Sequence, residues 1–121
     1  MVGSSSSLDR STTILAFTFD LLNELHIKDH VPVVLELDSP SYNSWRTYFV
    51  LLFRSYHLID HVDGRIDIRD IKGDDEWLVV DACIIKWLFL MISRGLFDMV
   101  NCRDPSVHVI WTRLCDLFLD N

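Results

Sequence analysis

Glycine is scarce in this chain: there are four among 121 residues, together with three prolines and three cysteines. So few glycines leave no glycine-rich loop to cradle a phosphate. No G-x-S-x-G elbow presents a nucleophilic serine either. Cys83, Cys102 and Cys115 are odd in number and widely spaced, which excludes a disulfide framework or a zinc ribbon. They read as free thiols in a reducing compartment, with Cys83 a small hydrophobe inside an apolar run. Positive charge is also short. Eleven Lys and Arg face eighteen Asp and Glu, giving a net charge of −7 and a pI near 5.0. The bases Arg46, Arg54, Arg65 and Arg94 are scattered, so no basic patch is available to displace counterions from a nucleic acid. Long hydrophobic runs are missing too. Residues 14–22 are interrupted by Asp20, and residues 77–92 carry Asp81 and Lys86 and are too short to cross a bilayer. The opening MVGSSSSLDRSTT lacks a strong basic n-region and a small-residue cleavage site. These absences imply a soluble, cytoplasmic chain without a membrane or nucleic-acid site of its own.

Apolar residues, in contrast, make up half of the chain. That is enough for the core of one domain, with apolar surface left over for a partner. Residues 1–13 read as a disordered Ser-rich tail and residues 14–121 as one helical domain. Phe17 and Leu21 suggest a short helix over 14–25. Residues 26–37 are β-branched and contain Pro32, so they read as an extended arm with room for one short strand.

The first strong helix is expected after Ser39 as N-cap and Pro40 at the first helical position. Tyr42, Trp45, Phe49, Leu52 and Tyr56 recur at threes and fours and so share one face. Gly64 suits the turn that follows. Residues 63–76 are crowded with charge and read as an exposed loop, with Asp74 or Asp75 capping a second helix over 76–92. Its stripe is Trp77, Val80, Ile84, Trp87 and Met91, and the rest of its surface is almost as apolar. Such a helix is central to its fold or shared with a partner. A short helix over 93–101 turns Leu96, Phe97 and Val100 inward. Asp104 and Pro105 signal the start of the last helix, whose stripe is Val107, Ile110, Trp111, Leu114, Leu117 and Phe118. The fold class expected is all-α, a compact array of four to five helices. In it, the first aromatic stripe anchors on the second helix.

Catalytic chemistry finds little support. His57 and His61 are four apart, close to Asp60 and Asp63, but the glutamate of H-E-x-x-H is absent and no third ligand is specified. Two solvated or helix-end histidines are the plainer reading. The acidic loop breaks the EF-hand register at its first ligand position. No pair of carboxylates stands out for acid–base work. Trp45, Trp77, Trp87 and Trp111 lie on apolar stripes without the basic neighbours that a base-stacking platform needs. The expectation is a non-enzyme without cofactor or metal.

The order of short motifs goes further. Tyr42-x-x-Trp45, the His61-x-Asp63-Gly64 turn, Trp77, Asp81 and Trp87, then Trp111 with Phe118, lie within residues 26–121. In that order and spacing they resemble the N-terminal, capsid-like part of Gag polyproteins of plant copia-type LTR retrotransposons. The resemblance implies a capsid-like lobe that packs against copies of itself, or against the rest of a Gag polyprotein, in a virus-like particle. The second lobe and the CCHC zinc knuckle that such chains usually carry do not follow here, so the resemblance implies a fragment, a truncated remnant or an isolated domain. The alternative is a helical protein-binding module derived from such an element, with no assembly of its own.

Overall fold

The computed structural model describes residues 22, 24–38, 41–66 and 75–119. Among these the fold is all-α, with six helical segments: α1 (Ile27–His30), α2 (Tyr42–Ser55), α3 (Ile59–Val62), α4 (Asp75–Leu90), α5 (Arg94–Val100) and α6 (Val107–Leu119). Two of the six are single turns, which is why the count exceeds the four to five expected. The Ser-rich tail lies outside the described residues, as does most of the expected 14–25 helix; of that helix, Leu22 and Glu24 are helical, and Leu22 is fully buried.

The arm begins later than expected. Pro32 constrains itself and the residue before it, not the turn upstream. Ile27 and Val31, four apart and both buried, therefore close a helical turn, with the Val31 N–H donating to the Ile27 carbonyl at 2.8 Å. Val31 itself is pushed out of the helical region (φ −129°, ψ 88°). From there the chain is extended. It docks by one parallel bridge, in which the Leu35 N–H donates to the Met91 carbonyl and the Ser93 N–H to the Leu35 carbonyl, both at 2.8 Å.

Helix α2 starts at Tyr42, with Ser41 in the N-cap position and no side-chain cap bond. The expected cap at Ser39 and Pro40 lies outside the described residues. The helix ends in a Schellman motif: the Leu58 N–H donates to the Phe53 carbonyl at 2.7 Å and the His57 N–H to the Arg54 carbonyl at 3.3 Å. His57 takes the left-handed conformation this requires, at φ 58°. The buried Leu58 supplies the apolar contact that accompanies such ends.

Helix α4 stops at Leu90 rather than residue 92, because the Ile92 backbone joins the bridge to the arm. Its buried line runs through Asp81, Ile84, Ile85 and Leu88, flanked by Cys83 and Trp87. Trp77 and Val80 of the expected stripe are only half-buried. Ser93 caps α5, its hydroxyl accepting from the Leu96 N–H at 3.3 Å. Helix α6 is capped by Ser106, not by Asp104 as the Asp-Pro pair suggested. The Ser106 hydroxyl accepts from the Val109 N–H at 3.2 Å and its carbonyl from the Ile110 N–H at 3.0 Å. Asp104 instead makes the preceding turn at φ 53°.

The aromatic stripe of α2 meets rings of α6. Trp45 stacks on Trp111 with centroids 5.6 Å apart, and Phe53 meets the same ring edge-on at 5.4 Å. Tyr42 stacks on Phe118 at 4.7 Å. The tie to α4 is polar: the Trp45 Nε1–H donates to the Met91 carbonyl at 2.9 Å, inside the core. That carbonyl also accepts from Leu35, so α2, the arm and the end of α4 share one oxygen. Trp45→Ala therefore removes a fully buried ring and this bond. It is expected to cost about 3–5 kcal/mol in urea unfolding. A variant as stable as the parent would contradict this account of the core.

Candidate functional site

Two polar side chains stand out in the apolar interior. Asp81 and His61 are only 4% and 7% exposed. A carboxylate so deep is costly unless its oxygens are occupied. Both are. His61 Nδ1 lies 2.9 Å from Asp81 Oδ1, and the Val107 N–H donates to Oδ2 at 3.2 Å. A carboxylate only accepts, so the Nδ1 proton of His61 points at it. The imidazole is covered by Trp77, stacked at 4.0 Å and within 15° of parallel.

Local structure puts each group there. The left-handed His57 turns the chain out of α2, and α3 follows as one turn that buries His61 and Val62. Asp81 sits one turn after Trp77 on α4, so both reach the same ring. Val107 is the first residue of α6, where N–H groups lack intrahelical acceptors. Negative charge at that end is also favoured by the helix dipole. The Asp81 carboxylate thus joins α3, α4 and the start of α6.

A second contact reinforces the first. His108, the next residue of α6, places Nδ1 2.8 Å from the Val62 carbonyl. Its ring lies over Gly64, where an added Cβ would come within 2.6 Å of it. Gly64 also holds φ 75°, so both space and backbone call for glycine. Beyond it, Asp63 accepts from the Arg65 N–H at 3.1 Å and from Arg65 Nε at 2.6 Å. These bonds, the backbone one foremost, hold the Asp63 carboxyl below its usual range.

The pairing of His57 with His61 is thereby corrected. They do not share a helix face, since α2 ends before His57 and His61 lies on α3. His57 is exposed, and His61 is a buried partner of Asp81 rather than a solvated side chain. Cys83 is buried, and desolvation raises its thiol pKa, in keeping with a packing role. The Tyr42 hydroxyl is buried, and among the described residues no group meets it in good hydrogen-bond geometry. Burial pushes its phenol well above the ordinary tyrosine range, and the Cys115 thiol acts in the same direction.

Of the stripe residues singled out in the sequence, Tyr42, Trp45, Phe49, Leu52, Ile84, Trp87, Met91, Ile110, Trp111 and Leu114 are buried. Tyr56, Trp77, Val80 and Phe118 are half-buried. Most of these side chains are thus consumed in the fold. Exposed apolar side chains include Tyr48 and Leu51 on α2 and Val79 and Leu90 on α4. Between α4 and α5 a shallow groove of about 520 Å³ is lined by Phe89, Leu90, Ile92 and Phe97, with Lys86 and Arg94 at its edge. Among the described residues no helix is long and apolar enough to cross a membrane.

The Asp81 junction was missed in the sequence, although a carboxylate in the middle of an apolar helix was the signal. Asp81→Ala leaves the His61 and Val107 N–H groups without acceptors, at about 1–3 kcal/mol for each orphaned group. Asp81→Asn keeps an acceptor for Val107 and is expected to lose less. Urea unfolding of both variants checks the order; an alanine variant no less stable than the asparagine one would contradict it. Comparison with known proteins returned no matching family model, curated protein or solved structure.

Proposed function

We propose that this chain is a structural, non-catalytic lobe of the Gag capsid type found in copia-like retrotransposons, and that it works by associating with copies of itself in the cytoplasm. One observation carries the reading. The motif residues behind the resemblance are spread over four helices and a turn, yet several converge. His61, Trp77 and Asp81 form one contact, the Asp63-Gly64 turn adjoins it, and Trp111 with Phe118 covers the stripe of Tyr42 and Trp45. A motif whose members pack against one another specifies a scaffold. The strong negative charge assigns RNA contact to other parts of a particle.

The groove between α4 and α5 favours a second reading, in which the chain is a helical module that takes an apolar segment of another protein. Light scattering on the purified chain over a wide concentration range separates the two. The assembly reading predicts a mass that grows with concentration, and particles or regular oligomers in the electron microscope. A strict monomer at every concentration would contradict assembly by this chain and leave the binding module.

A further inference from the structure

Helix α4 has an outer face that the core does not use. Its exposed positions Glu76, Val79, Ala82, Lys86 and Leu90 recur at threes and fours and share one side of the helix. Val79 and Leu90 on this side are 44% and 61% exposed. The side is polarised: Asp75 and Glu76 stand at one end, and Lys86 stands towards the other, beside the groove that Arg94 also edges. Neither Glu76 nor Lys86 forms an ion pair among the described residues.

We propose that this face of α4 is a two-fold interface between copies of the chain, with the two helices antiparallel and Glu76 of each opposite Lys86 of the other. The inference rests on the assembly reading for the premise of self-association and adds the surface. Reversing the helix about a point near residue 81 brings Glu76 opposite the partner's Lys86. The same rotation brings Val79 to within one residue of the level of the partner's Ala82. Both contacts occur twice, as a two-fold interface demands. Ala82, small and central, lets the backbones approach closely. A parallel pairing would set Glu76 against Glu76 and Lys86 against Lys86, so the charges select the antiparallel direction. One helix pair buries little, in the class below about 1,200 Å² that characterises weak, reversible contacts. Association is therefore expected at high concentration and is weakened by salt.

The test uses the full chain with Glu76→Lys and Lys86→Glu, each at an exposed position, with circular dichroism to verify the helical fold. In sedimentation at low salt, each single variant is expected to self-associate about tenfold or more weakly than the parent, because two attractive contacts become repulsive. An equimolar mixture of the two variants restores association, since every facing pair is again opposite in charge. If both variants associate like the parent, or if the mixture gains nothing, the α4 interface is overturned while assembly through another face stands. If the parent itself is monomeric throughout, the interface and the assembly reading fall together.

Discussion

The Asp81 carboxylate is the constraint around which much of the described fold is arranged. A buried acid destabilises a small domain unless it is fully satisfied. Here satisfying it requires three elements at once: α3 must present His61, α4 must hold the carboxylate at the right level, and α6 must begin at Val107. A helix apolar nearly all round can rotate about its axis with little change in buried area. A single polar group with two fixed partners removes that freedom. The aromatic cluster of Trp45, Phe53 and Trp111 supplies burial, and the Met91 carbonyl ties α2 and the arm to the end of α4. The polar contacts choose which of several greasy packings is adopted.

The same division shows what could be read in the sequence. The stripe of α2 was legible because its period alternates apolar with polar positions, and Gly64 was legible because a turn there calls for glycine. The rotation of α4 was not, since its apolar residues surround the helix and the pattern has no phase. Capping by Asp104 failed because the neighbouring Ser106 offers a hydroxyl at the right register and frees Asp104 to make the turn. The end of α2 at His57 was hidden because the left-handed residue of the Schellman motif is usually glycine or asparagine. Once that end is missed, His57 and His61 look like neighbours on one face. The partner of Asp81 was beyond local pattern altogether, twenty residues away and reached only through the tertiary fold.

For function, the main consequence is a separation of roles. Most of the aromatic side chains among the described residues are spent on packing within the molecule, Tyr48 being an exposed exception. Among the described residues the exposed apolar positions are sparser and lie on the arm and on α2, α4, α5 and α6. Under the proposed self-association, such contacts would be weak and repeated.

The central claim is that Asp81 anchors the start of α6, and native-state hydrogen exchange at the Val107 amide tests it most directly. N–H groups in the first turn of a helix ordinarily exchange by fraying, because they lack partners within the helix. The account predicts that Val107 exchanges as slowly as Ile84 and Leu88 in the middle of α4, through global unfolding alone. Exchange at Val107 as fast as at a solvent-exposed first-turn amide would show that the carboxylate does not hold the helix, and would contradict the account.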